Sequence, residues 1–197
     1  MTITAQQISD RAGLLLSDTT LVRWLADERL IWISDGRREM AKLKPTIFGN
    51  GTEVTHTATS GNKQTVTATG AYKIDSVNSN VASGKAVRVC DKSQLDAFKP
   101  AWRNDTGTDV QNWWSDETDP LSFWVYPAVT AGAGLKMHVH LAPTDLTSMS
   151  DIALPFDIYE PALVNYLCFR MISKDAEYAG NAPAAQAYFQ LFTSALA

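Results

Sequence analysis

The stretch Ala162-Leu163-Val164-Asn165-Tyr166-Leu167-Cys168-Phe169-Arg170-Met171-Ile172 is apolar on nearly every side. A helix of this kind has no face to give to water, so it belongs at the centre of a helical unit. Its start signal is Asp157, with Glu160 three residues on as a capping box, and Gly180 is the expected C′ stop. It needs helical neighbours. After it, Asn181 reads as an N-cap, and Ala185, Tyr188, Phe189, Phe192 and Leu196 form one stripe. The other neighbours come from the far end of the chain. Thr4 and Gln7 make a capping box, Ile3 and Ile8 a hydrophobic staple, and Ile8, Ala12, Leu15 and Leu16 an apolar stripe. A second N-terminal helix runs to Lys44 and stops at Pro45, starting at Thr20 or near Ala26. Leu30, Ile33, Met40 and Leu43 share its broad face, with Asp27 and Glu28 early and Arg37, Arg38, Lys42 and Lys44 late, as the helix dipole favours.

Between these ends the texture changes. Residues 45–151 are rich in Thr, Ser, Asn and Gly and alternate in polarity. Glu53–Thr59 and Gln64–Thr69 read as a hairpin around Ser60–Lys63. Tyr72–Val77 and Lys85–Cys90 read as strands around a turn at Asn78–Asn80. Asp91–Phe98 reads as a short helix. Ser122–Tyr126 and Leu135–Leu141 are strands flanking a Gly-rich loop, and the second turns Leu135, Met137, Val139 and Leu141 one way and Lys136, His138 and His140 the other. The expected fold is therefore α+β: a four-helix bundle of residues 1–44 and 152–197, with an antiparallel β-sandwich or barrel inserted at 45–151.

The composition agrees with a folded chain. Of 197 residues, 45% are hydrophobic and 19% charged, which excludes full disorder. A chain of this length buries roughly 70% of its unfolded surface. No stretch approaches the roughly 20 apolar residues that span a bilayer, and the N-terminus carries no early cation, so neither a membrane anchor nor a signal peptide is expected. A net charge of −4 exerts no long-range pull on nucleic acid. Cys90 and Cys168 sit in unlike contexts and are expected to be reduced and buried, which fits a cytoplasmic setting.

No motif announces a reaction. His138 and His140 share a strand face, but the remaining histidine, His56, is distant in sequence, and a polar surface is the simpler reading. There is no Gly-x-Ser-x-Gly elbow, and an apolar helix around Cys168 makes it inert. Ser83-Gly84-Lys85 echoes a phosphate loop, but Ala86 follows where Ser or Thr is required and a strand follows where a helix is required. The adjacent carboxylates Asp27/Glu28 and Asp116/Glu117 read as surface charge. Trp102, Trp113, Trp114 and Trp124 crowd one segment, either as β core or as a platform for sugar or protein. On a strand Trp113 and Trp114 face opposite ways, so one of them faces outward. Arg37, Arg38 and Lys42 read as solvated charge paired with Asp35 and Glu39, or as phosphate or partner contacts.

The order of these elements carries a resemblance. The run Arg23-Trp24-Leu25-Ala26-Asp27-Glu28-Arg29-Leu30-Ile31-Trp32-Ile33-Ser34-Asp35-Gly36-Arg37-Arg38-Glu39-Met40 resembles the N-terminal signature of the tailed-bacteriophage head-to-tail adaptor (connector) family. Asp119-Pro120-Leu121-Ser122-Phe123-Trp124-Val125-Tyr126-Pro127 resembles its aromatic strand closed by Tyr-Pro. Leu154-Pro155-Phe156-Asp157-Ile158-Tyr159-Glu160-Pro161-Ala162-Leu163-Val164 and Ser173–Asn181 resemble its closing stretch. The resemblance implies a virion structural protein at the head-to-tail junction, assembled in the host cytoplasm. It implies a ring of twelve copies through which double-stranded DNA passes without sequence-specific contact. Its partners would be the portal protein and tail nozzle or tube proteins. No catalytic residue, metal or cofactor is implied. Trp113, Trp114, Arg37, Arg38 and Lys42 are the interface candidates. A tail-tube or tail-completion protein is the alternative, and a carbohydrate-binding β module is a more distant one.

Overall fold

Thr4 opens the first helix as its sequence requires. The Gln7 N–H donates to Thr4 Oγ1 at 3.4 Å, and the Thr4 N–H donates to Gln7 Oε1 at 2.9 Å. This computed structural model describes residues 1–49, 51–175 and 181–197. In chain order its elements begin with β1 (Ile3–Thr4), α1 (Ala5–Leu15), α2 (Ala26–Leu43), β2 (Thr52–Thr57), β3 (Gly61–Thr65), β4 (Ala71–Asn80), β5 (Arg88–Val89) and α3 (Lys92–Phe98). They continue with β6 (Thr106–Gly107), β7 (Asn112–Ser115), β8 (Ser122–Val129), β9 (Gly134–Leu141), β10 (Ile152–Leu154), α4 (Glu160–Lys174) and α5 (Asn181–Ser194). The chain is α+β and divides into two compact units, Met1–Phe48 with Pro143–Ala197, and Gly49–Ala142. The expected stop at Gly180 lies outside the described residues.

In the helical unit α4 is the hub, as its all-round apolar sequence demands. Ala162, Leu163, Val164, Tyr166, Leu167, Cys168 and Met171 are buried. The α2 backbone approaches α4 so closely at Gly36 that a Cβ there would stand 2.6 Å from Leu163 Cδ1 and Tyr166 Cδ1. α5 packs on α4 through aromatic pairs, Tyr166 with Phe192 and Phe169 with Phe189, each 5.1 Å between ring centroids. β1 and β10 pair antiparallel and tie the N-terminus to the segment before α4. Helices converging on α4 describe a hub more than a regular four-helix bundle with equal neighbours. The expected cap at Asp157 is corrected: residues 157–159 form a 3-10 turn, and α4 starts at Glu160 with no side-chain cap. Glu160 is instead buried and paired with Arg11 at 2.8 Å. Leu15 and Leu43, expected on apolar faces, are exposed, because each is the last residue of its helix.

The β unit holds two sheets. One runs β2-β9-β4, all antiparallel. The other runs β3-β8-β7-β5, with β6 also on β8, and the β5–β7 and β6–β8 pairs are parallel, so the sheet is mixed. Val77, Met137, Val139, Trp113, Phe123 and Val125 from the two sheets meet in one apolar cluster, which gives the sandwich reading part of its substance. The expected β2–β3 hairpin does not form. The two strands turn away into different sheets, and the Gln64 side chain holds the corner: it accepts from the Thr59 N–H at 2.8 Å and donates to Thr59 O at 2.9 Å. The expected turn at Asn78–Asn80 is strand. Asn80 is buried there, accepting from the Val110 N–H and donating to Val110 O, both at 2.8 Å. Pro127 sits in β8 where the neighbour changes, since β7 pairs up to Tyr126 and β6 from Ala128. No ladder bond is asked of the missing N–H. β2 is an edge strand that pairs only with β9 among the described strands.

Candidate interaction surfaces

The buried stripe of α2 contains two arginines. Arg29, Ile33 and Arg37 follow at i, i+4 and i+8, with Met40 and Ala41 behind them, and all are buried. Arg29 is fully compensated. Its Nη2 bonds Asp18 Oδ2 at 2.7 Å and Asp18 O at 2.8 Å, its Nη1 donates to Ser9 O at 3.0 Å, and its Nε donates to Trp24 O at 3.1 Å. Asp18 also accepts from the N–H groups of Val22, Arg23 and Trp24. Burial pushes the Asp18 carboxyl up, but those three N–H donors and the Arg29 guanidinium more than reverse it, leaving it below the ordinary value. Gly13 admits this pair: a Cβ there would lie 2.9 Å from Asp18 O and 3.0 Å from Arg29 Nη1. The Asp18–Arg29 pair thus fixes the loop between α1 and α2, and Val22 and Leu25 stand exposed on that loop.

Arg37 differs from the solvated reading given to it above. It is 9% exposed; its Nη1 donates to Thr144 O at 2.6 Å, and its guanidinium lies 5.6 Å from the Phe48 ring centroid. Arg38 and Lys42 follow the expected surface pairing. Arg38 pairs with Asp35 at 3.0 Å and also with Asp145, and Lys42 pairs with Glu39 at 2.6 Å. Asp35 bridges onward to Arg170 at 3.1 Å.

In the β unit Trp113 points into the core and Trp114 outward, as strand alternation requires. Trp114 is half-buried. It lies parallel to Trp124, with planes 4° apart and centroids 6.4 Å apart, and edge-on to Trp102 at 5.2 Å. Trp124 donates to Asp116 Oδ2 at 3.3 Å, and Lys63 pairs with the same oxygen at 2.8 Å. The Lys63 ammonium, with Thr118 adding a hydroxyl and an N–H, holds Asp116 well below the usual carboxylate range. An open groove beside these indoles is lined by Val89, Cys90, Gln94 and Glu117. Arg37, Arg38 and Lys42 lie in the helical unit and Trp113 and Trp114 in the β unit, so no single unit gathers all five.

The three histidines do not converge. His138 bonds Asn78 at 2.9 Å and His140 lies 3.4 Å from Asp75, whereas His56 opposes Leu135, on the core side, and packs edge-on against Phe123. Burial holds His56 below its ordinary value. Among the described residues no group of three His, Cys, Asp or Glu side chains is placed to hold a metal ion. Burial pushes the Cys168 thiol up to about 12, and both cysteines are free. The Asp18–Arg29 pair went unread in the sequence. Its signal was a charged residue in phase with Ile33 and Met40 on an otherwise apolar stripe.

Residues 3–197 match the family model described as SU10 adaptor protein. No curated protein matches the chain.

Proposed function

Because the chain belongs to the SU10 adaptor protein family, we propose that this phage adaptor joins the portal to the tail as a ring of twelve copies around the DNA path. The observation that carries the reading is the extent of the match, which takes in both the helical and the β unit. The mechanism is associative. Each copy presents one surface to the next, and a heterologous contact closes into a ring when its rotation allows. One face docks on the portal and another receives nozzle or tube proteins, and no bond is made or broken in the chemistry of the chain. A net charge of −4 supports a lumen that does not grip phosphate. Assembly takes place in the host cytoplasm, and no helix among the described residues is long and apolar enough to cross a membrane.

Trp113, Trp114, Arg37, Arg38 and Lys42 are proposed for the contact regions. Trp114, Arg38 and Lys42 are reachable there, while the buried Trp113 and Arg37 shape the surface beneath them. Electron microscopy of portal complexes mixed with the purified chain tests the whole reading. A closed ring of copies seated on the portal is expected. Density along the tail tube, or none on the portal, would replace it with a tail-completion role.

A further inference from the structure

We propose that the segment 143–151 is a strap that opens locally at low cost, uncovering the buried Arg37 of α2 and releasing the neighbouring, already part-exposed Arg38 from Asp145. Three consecutive strap residues are held by one helix face. Thr144 O accepts from Arg37 Nη1 at 2.6 Å, the Asp145 carboxylate pairs with Arg38, and the Leu146 N–H donates to Ser34 Oγ at 3.0 Å. Beyond them the strap folds on itself, with the N–H groups of Thr147 and Ser148 donating to Asp151 Oδ2 at 2.8 and 2.9 Å.

The central member of this clasp is held at a disadvantage. Arg37 is nine-tenths buried, its Nε finds no hydrogen-bond partner, and its one carboxylate influence is the longer-range charge of Asp151 on the strap, with no direct ion pair among the described residues. Burial first, and then the like-charged neighbour Arg38, depress the Arg37 guanidinium below its ordinary value despite the opposing pull of the Asp151 charge. Arg29, two turns earlier on the same stripe, shows what full compensation looks like: every nitrogen bonded and a carboxylate at 2.7 Å. A buried charge with one carbonyl partner forgoes most of its hydration. Opening the strap returns that hydration, which offsets the lost contacts. The clasp therefore sits far closer to its open state than α4 does to unfolding, and opening adds the Arg37 guanidinium to a helix face that already shows part of Arg38.

Hydrogen exchange read by mass spectrometry on the full chain tests this. In the wild type, amides of Leu146 to Ser148 should exchange at least about a hundredfold faster than those of Leu163 to Leu167, through local opening. Arg37→Met, which keeps the volume and removes the charge, should slow strap exchange about tenfold, whereas Ser34→Ala should speed it. Strap amides that exchange only at the α4 rate overturn the proposal, whether or not the variant folds. So does an Arg37→Met protein whose strap exchanges faster than the wild type's.

Discussion

Asp18 gathers four donors because Arg29 stands on the apolar stripe of α2 and must be neutralised there. Removing one partner of such a buried pair leaves the other uncompensated, so Asp18→Asn should cost about 3–5 kcal/mol, read as a shift in the urea midpoint. The pH dependence has a definite sign. Asp18 titrates lower in the folded chain than in the unfolded one, where the value is near 3.8. Its contribution is therefore complete above that unfolded value and is lost as pH falls through the lower folded value. The urea midpoint of the wild type should drop on acidification below about pH 4, and Asp18→Asn should lack that part of the drop. Gly13→Ala forces a methyl against Asp18 O and Arg29 Nη1, and should destabilise by about 1–3 kcal/mol. In the β unit, Asn80→Ala strips both bonds from the buried Val110 peptide group. A loss of about 1–3 kcal/mol for each unpaired group is expected in the same assay.

Elements were legible in the sequence wherever a local rule decided them. The α1 capping box, the stop of α2 before Pro45, the short helix α3 and the alternation along β9 as far as Val139 each depend on a few neighbouring residues, and each is seen, whereas His140, expected on the polar face, is buried. Partner choice was not legible. Gln64 and the Thr-rich run around it signalled two strands and a turn, but which sheet each strand joins is settled by β8 and β9, some 60 to 80 residues away. The interface candidates show the same division. Strand alternation requires one of Trp113 and Trp114 to face outward, and only the tertiary fold selects Trp114; the burial of Arg37, which depends on Thr144 and Phe48, leaves no local trace at all. At this scale Trp114→Ala should impair attachment to portal complexes while leaving the melting temperature within a few degrees, since the ring is half-buried. Normal attachment would remove Trp114 from the contact region.

For the whole molecule the decisive fact is that the apolar residues form two clusters, one around α4 and one between the sheets. Each has its own cooperative basis, so calorimetry should resolve two transitions, and a single transition with matching calorimetric and van't Hoff enthalpies would refute this. The cysteines supply a site-specific version of the experiment. Cys168 lies in the first cluster with its thiol pushed up to about 12, and Cys90 is half-buried in the β unit with its thiol raised by burial and by the Asp91 charge. At pH near 8 a thiol reagent should modify Cys90 slowly in the native protein, and Cys168 only once the helical unit melts.

The flank of β2 left without a strand partner among the described residues has a practical side. The strand Thr-Glu-Val-Thr-His-Thr holds no proline, its single acid is matched by Lys136 on β9, and β9 is its sole described neighbour. Such a rim templates foreign strands. Concentrated stocks should slowly gain thioflavin-positive fibrils, and a Thr55→Lys change should lengthen their shelf life.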